Sequence, residues 1–489
     1  MKKYIVAIDQ GTTSTRAILF DKNQEIVKVA QKEFTNYFPH PGWVEQDANE
    51  IWHTTLEVIH ELFISGEYKP EEVESIGITN QRETTVLWDK TTGKPVYNAI
   101  VWQSKQTTDV IDRYKKDGKE EFVRSKTGLL LDPYFSASKI RWIYENVDGV
   151  KDNKNILFGT IDTWLTWNLS KGKAHITDVT NASRTLLFNI NTLNWDKDLL
   201  NLFEIPEYIL PTIVNTSGHL AKVDPSIFYN QDVEICSLVG DQQAALFGQS
   251  CFKEGSCKNT YGTGGFLLYN TGNKPIISKN GLLSTVAWKI NDEVKYALEG
   301  SILVSGSLMQ WLRDGIKIID NVSKSEEISK SLDSTGGVMI VPAFVGLGAP
   351  YWNPDARGTI FGLTRGTNRD HLIRAAVESQ AYQSKDLIEA IEDEVGHKID
   401  NLKVDGGASA NKFLLQFQAD ILEKPVLKNS FTEMTALGAA RLAGLASNFY
   451  KQDDFLKENI SEYKPSMKHE DVTKNYDRWK KAVKACQEY

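Results

Sequence analysis

The chain opens on two short apolar runs around a polar turn, and it repeats that arrangement past its midpoint. Tyr4-Ile5-Val6-Ala7-Ile8 leads into Asp9-Gln10-Gly11-Thr12-Thr13-Ser14-Thr15 and returns as Arg16-Ala17-Ile18-Leu19-Phe20. Cys257-Lys258-Asn259-Thr260 leads into Tyr261-Gly262-Thr263-Gly264-Gly265 and returns as Phe266-Leu267-Leu268-Tyr269. Apolar runs this short, bounded by turn residues, read as buried strands. A lone hairpin is at best marginally stable in water, so each must join a larger sheet covered by helices. One shared Gly-Thr dipeptide is weak evidence of duplication, but two whole hairpins half a chain apart are better evidence. They point to two lobes of one plan, divided near residue 250, as 1–250 and 251–489. The 489 residues allow about three domains at ~150 each, and two large lobes fit as well. No low-complexity linker marks the boundary, so the lobes are expected to pack closely around a cleft.

Between the hairpins the pattern alternates. Glu25–Ala30 reads as a third strand, Ile51–Phe63 has helical spacing, and Val73–Ile78 and Thr84–Trp88 read as strands. Asn411–Leu422 places Phe413, Leu414, Phe417 and Ile421 on one helix face. Thr435–Leu445 is a helix rich in small residues, which suits close packing on a sheet. The fold class is α/β with mixed sheets.

Composition excludes several functions. The net charge of −8 argues against non-specific binding to nucleic acid or anionic membranes. The longest apolar stretch, Val338–Leu347, is broken by Pro342 and Gly346, far short of the ~20 residues that cross a bilayer. The apolar run after Lys2-Lys3 stops at Asp9, too early for a secretory signal. Four cysteines without Cys-x-x-Cys spacing suit a reducing compartment, and a cytoplasmic location is expected. The eight histidines show no metal-ligand spacing, so no transition-metal site is expected.

Five segments carry chemistry. Asp9–Thr15 combines glycine, whose backbone can approach a phosphate, with hydroxyl donors and a strand-end carboxylate; it is equally a hydroxyl-rich hairpin turn. Tyr261–Gly265 has the same two readings. Leu402–Ala408 ends a strand in a Gly pair ahead of a helix, which suits an anion or a flat ring, or simply a compact joint. Glu234–Gly240 is a strand that delivers Asp241 and Gln242 at its C-terminal end, where α/β sheets bind ligands, although aspartate is also a common helix cap. Thr79–Thr84 offers Arg82 and Glu83, a donor and an acceptor able to grip a polyol, with Trp102 and Tyr134 as walls or as core. No Walker phosphate loop, Gly-x-Gly-x-x-Gly fingerprint or protein-kinase signature occurs.

In order along nearly the whole chain, these segments resemble the FGGY family of carbohydrate kinases, in its glycerol-phosphorylating branch. The stretches are Ile8–Arg16 (IDQGTTSTR), Gly77–Thr85 (GITNQRETT), Ala99–Gln103 (AIVWQ), Asp132–Phe135 (DPYF), Gly240–Gly248 (GDQQAALFG), Asn259–Gly265 (NTYGTGG), Pro342–Trp352 (PAFVGLGAPYW) and Val404–Ala408 (VDGGA), with wider patterns in Tyr134–Asn146 and Gly358–Glu378. The resemblance implies two actin-like, ribonuclease-H-like lobes and transfer of the ATP γ-phosphoryl group to glycerol. It implies that Arg82, Glu83, Trp102, Tyr134, Asp241, Gln242 and Phe266 bind glycerol, with Asp241 as general base. It further implies that Thr12, Thr13, Ser14, Arg16, Thr263, Gly306, Gln310, Gly407 and Asn411 bind nucleotide, that Asp9 and Asp241 place Mg²⁺, and that the chain forms a homodimer or homotetramer. Where Gram-positive members carry a phosphorylatable histidine, this chain has Ile227, which accepts no phosphoryl group, and the fructose-bisphosphate loop of the enteric branch has no counterpart. The rivals are a sister kinase of a pentulose or gluconate and a non-catalytic actin-like protein.

Overall fold

A computed structural model describes residues 2–456 and 459–488. Thirteen strands form one long twisted sheet. The first half contributes β1 (Tyr4–Gln10), β2 (Ser14–Phe20), β3 (Ile26–Glu33), β4 (Val73–Asn80), β5 (Ser217–Lys222) and β6 (Glu234–Gly240). The second contributes β7 (Cys257–Tyr261), β8 (Gly265–Gly272), β9 (Leu283–Ile290), β10 (Glu293–Ile302), β11 (Leu402–Gly406), β12 (Val426–Asn429) and β13 (Ile460–Tyr463). The order is β13-β12-β11-β7-β8-β10-β9-β5-β6-β4-β1-β2-β3.

The two halves repeat one plan. β1 pairs antiparallel with β2, β2 with β3, and β1 runs parallel to β4 and β4 to β6. β7, β8, β10, β11 and β12 repeat the same directions in the same order. Each half then adds an antiparallel edge, β5 on β6 and β13 on β12. This is the actin-like pair of modules expected from the sequence. The two meet where β5 and β9 touch at a single register pair, Ser217 with Ile290.

Both turns are shorter than the sequence suggests. β1 extends through Gln10, so Asp9 lies opposite Arg16 and the turn is Gly11–Thr13. Tyr261 likewise lies opposite Gly265. Asp9 and Gln10 are buried, and buried backbone must stay paired, which carries the ladder past the last apolar residue. Thr84–Trp88 is displaced too: the strand is Val86–Asp89, in a separate small sheet with Ile156–Gly159.

Helices cover the sheet. α1 (Ala48–Phe63) begins three residues earlier than the periodicity suggests because Asp47 caps it, accepting from the Asn49 amide. α2 (Ser136–Asn146), α3 (Asp241–Gly248), α4 (Arg369–Val395), α5 (Lys412–Leu422) and α6 (Met434–Ala446) follow. α6 belongs to the second half of the chain, yet it packs on β1, β4 and β6 of the first and against α3. Its small residues make this possible. A Cβ on Gly438 would stand 1.9 Å from the Ala244 carbonyl oxygen, and one on Gly77 of β4 would stand 2.4 Å from that of Ala439. Ile5, Ala7, Ile18, Val239, Leu246, Ala439, Ala440 and Ala443 fuse into one apolar cluster at this seam. Each fully buried Val, Leu or Ile there contributes roughly 1.5–3 kcal/mol, so the halves are joined by a core rather than a tether. Among the described residues no helix is long and apolar enough to cross a membrane.

Candidate active site

β1, β4 and β6 are parallel, and their C-terminal ends deliver the Gly11–Thr13 turn, Arg82 with Glu83, and Asp241 to one cleft. The Gly262–Gly264 turn and the Gly406-Gly407 pair come from the equivalent ends in the second half. A cavity of about 200 Å³ lies between them, lined by Thr12, Thr13, Arg82, Glu83, Trp102, Tyr134, Asp241, Gln242, Thr263 and Phe266, together with Gln81, Gln103, Thr260, Gly262 and Gly264. The Trp102 ring meets Tyr134 edge-on at 5.6 Å and Phe266 at 6.1 Å, so three aromatics wall one side.

The polar side is a buried ionic network. Arg82 donates to Glu299 at 2.5 and 3.0 Å, and its Nε lies 3.2 Å from an Asp241 oxygen. Arg184 donates to Glu83 at 2.6 Å and to Glu299 at 2.9 Å. Two cations and two anions thus neutralise one another away from water, the condition for keeping such charges buried. Burial would raise the Glu299 carboxyl, but the guanidinium groups of Arg184 and Arg82 hold it down at about 2. Glu83 takes a left-handed backbone, φ 61°, which costs a non-glycine residue of order 1 kcal/mol and turns its carboxylate inward.

Asp241 occupies the first turn of α3; Gly240, not Asp241, is the cap. One Asp241 oxygen accepts from the Gln242 amide at 2.8 Å, the other from the Gln242 side chain at 3.0 Å, and the carboxylate remains 30% exposed to the cleft. Lys258 is buried and donates to Gln242 Oε1 at 2.7 Å across the cleft floor. Burial lowers Lys258 to about 8, against the pull of Asp405, Asp241 and Glu299.

The remaining expected residues, Asp9, Ser14, Arg16, Gly306, Gln310, Gly407 and Asn411, do not line this cavity. Arg16 is held by Asp9 at 2.7 Å and by Glu433 at 2.6 Å, which ties the first turn to the segment ahead of α6. Burial raises the Asp9 carboxyl and Arg16 opposes the rise. Trp102 donates to the Thr12 hydroxyl at 3.0 Å, and Ser14 begins β2. Gly306 donates to the Gly262 carbonyl at 3.0 Å and leaves no room for a Cβ, which would meet that oxygen at 2.5 Å. Gln310 ends the same short helix and is exposed. Gly407 follows Gly406, whose φ of 84° requires glycine, and Asn411 caps α5 by accepting from Leu414. Ile227 packs against the first-half core.

Asp9, which Asp241 influences electrostatically, and Asp241 itself offer carboxylate oxygens, the donor type that a hard cation such as Mg²⁺ takes. One histidine–cysteine–carboxylate group occurs among the described residues: His219, Glu234 and Cys236, at the end of β6 away from Asp241. Burial pushes the Cys236 thiol up to about 12, which disfavours the thiolate a metal needs.

Arg184, Glu299 and Lys258 were not anticipated. Glu299 follows the apolar run Tyr296-Ala297-Leu298 inside a buried strand, and that charge was an available signal, whereas Lys258 lies in the polar stretch Cys257–Tyr261. Arg184 sits in a polar loop without such a mark.

The chain matches the N-terminal domain of the FGGY family of carbohydrate kinases over residues 4–248 and the C-terminal domain over residues 257–447. It is 55% identical to a glycerol kinase of Geobacillus sp. over 492 residues, covering 99% of each chain. It is 54% identical to that of Staphylococcus haemolyticus, covering 100% of this chain and 99% of the relative. The structure of Plasmodium falciparum glycerol kinase with ADP superposes with a TM-score of 0.91 at 37% identity, covering 99% of this chain and 98% of the other.

Proposed function

The chain belongs to the FGGY family of carbohydrate kinases, and from that premise we propose that it transfers the γ-phosphoryl group of ATP to glycerol, giving sn-glycerol 3-phosphate and ADP. The observation that carries the choice of acceptor is the small cavity in which Arg82 and Glu83 face Asp241 under an aromatic wall. It offers donors and acceptors on one side and ring faces for the carbon chain on the other. Full-length identity of 54–55% to proteins named glycerol kinase supports the same choice.

Asp241 is the general base in this reading. It is exposed to the cavity, and Arg82 and Gln242 orient it to accept the proton of the attacking hydroxyl. Arg82 and Glu83 fix the other hydroxyls. A wrong polyol would leave buried partners unpaired, which is how such a site discriminates. Phosphoryl transfer passes through a loose transition state, so the protein supplies position and charge neutralisation. The amides of the Gly11–Thr13 and Gly262–Gly264 turns are the phosphate cradle, with Thr12, Thr13, Ser14 and Thr263 as donors. Arg16 would leave Asp9 or Glu433 to reach a phosphate. Gly306, Gln310, Gly407 and Asn411 form the nucleotide side, and Asp9 and Asp241 would hold Mg²⁺, which would neutralise phosphate charge. Lobes 1–250 and 251–489 closing on one another would exclude water, the competing acceptor. A cytoplasmic homodimer or homotetramer completes the reading.

The test is product identification by phosphorus NMR from ATP, Mg²⁺ and glycerol, with glycerone, D-xylulose and gluconate in parallel. Preference for a pentulose or gluconate overturns the acceptor assignment. ATP binding without turnover of any acceptor overturns the enzyme reading.

A further inference from the structure

Lys139 is a lysine sealed from water in α2, with no ion pair to it among the described residues. Lysine is almost never fully buried unless paired, because a charge taken out of water costs several kcal/mol. Its Nζ donates to three successive backbone carbonyls, those of Pro133 at 2.7 Å, Tyr134 at 2.5 Å and Phe135 at 3.2 Å. An ammonium has three donors, and all three are used on one turn.

That turn presents the aromatic wall of the cavity. Tyr134 lines the cavity and meets Trp102 edge-on. Its amide donates to Asp132 at 2.9 Å, and the next residue but one, Ser136, donates to the Glu83 carbonyl at 3.0 Å. A shift of the turn would therefore displace the Tyr134 ring and strain the backbone of Glu83 together.

We propose that Lys139 is a positioning residue for the acceptor: its ammonium clamps the Pro133–Phe135 turn, so that the Tyr134 ring closes the cavity against Trp102. The proposal rests on the glycerol reading above. It accounts for a buried cation that touches neither the acceptor nor the nucleotide in that reading. Burial lowers Lys139 to about 7, with Glu83 and Asp132 raising it and Lys105 lowering it further. On losing its proton the amine keeps two N–H donors for three carbonyls and turns a lone pair toward one of them. The clamp therefore loosens as pH rises through neutrality.

Lys139→Met keeps the length of the stem and removes every donor. Its KM for glycerol rises about tenfold while its KM for ATP stays within about twofold, since one side of the cleft loses its wall and the other does not. A KM for glycerol within about twofold of the wild type overturns the proposal, as does a parallel rise in both constants. If the variant does not fold, the wild-type enzyme gives the answer between about pH 6.5 and about pH 8.5. The KM for glycerol rises several-fold across that range with the KM for ATP flat, and a flat glycerol KM overturns the clamp. A wild-type enzyme inert toward glycerol removes the acceptor reading and the clamp with it, whereas an active one with an unresponsive KM removes the clamp alone.

Discussion

Replacing Glu299 by glutamine tests the ionic network on which the site is built. The carboxylate accepts from Arg82 twice, from Arg184 once and from Ser301 at 3.2 Å. Glutamine has the same shape, but it keeps one acceptor oxygen and points an amide N–H at a guanidinium. The buried group changes from two cations with two anions to two cations with one. Two routes give the size of the effect. Glu299 falls from an ordinary 4.5 to about 2 on folding. At ~1.4 kcal/mol for each tenfold in proton affinity, that is about 3 kcal/mol of stability. Breaking a buried pair by removing one partner costs about 3–5 kcal/mol in general. Both apply at pH 7. A carboxyl held low in the fold stabilises above its unfolded value, near 4.5, and loses that contribution as pH falls toward about 2. Urea unfolding followed by tryptophan fluorescence should show the variant about 3 kcal/mol less stable at pH 7, with the gap narrowing below about pH 4.5. Acceptor KM should rise as well, because Arg82 loses its anchor. A variant within about 0.5 kcal/mol of the wild type at pH 7 would mean that solvent or Asp241 compensates the arginines, and the electrostatic account of the site would fall.

Asp241→Asn should lower kcat by roughly 10²–10⁴ and leave ATP KM nearly unchanged; steady-state kinetics with varied ATP measure both. Gly438→Ala should cost about 1–3 kcal/mol, because its methyl group enters the Ala244 carbonyl and α6 must lift from α3; a fall in thermal midpoint is the readout. In Arg16→Ala, burial of Asp9 is no longer opposed by a guanidinium, so Asp9 holds its proton to higher pH. The acidic limb of the kcat/KM profile should move to higher pH, and an unmoved limb would remove Asp9 from the working site.

Much of this molecule was legible before folding, where the information is local. Strand–turn–strand runs, the small-residue face of α6 and the placement of Asp241 after a buried strand depend on neighbours within a few residues, and periodicity records those neighbours. Arg82 and Glu83 stood out because a dense polar set filled a loop that needed none. The partners of those residues were not legible. Glu299 lies 217 positions from Arg82, and Arg184 lies 101 from Glu83. Which charge neutralises which depends on strands brought side by side, and no spacing along the chain encodes that pairing. α6 makes the same point at larger scale. Its composition announced close packing, but its place on the first-half sheet follows from where β12 leaves it and from which backbone lies bare enough, at Gly77 and Gly248, to receive it. Lys139 is the sharpest instance, since an ammonium seated on three carbonyls reads along the chain as an ordinary helix lysine until the turn folds over it.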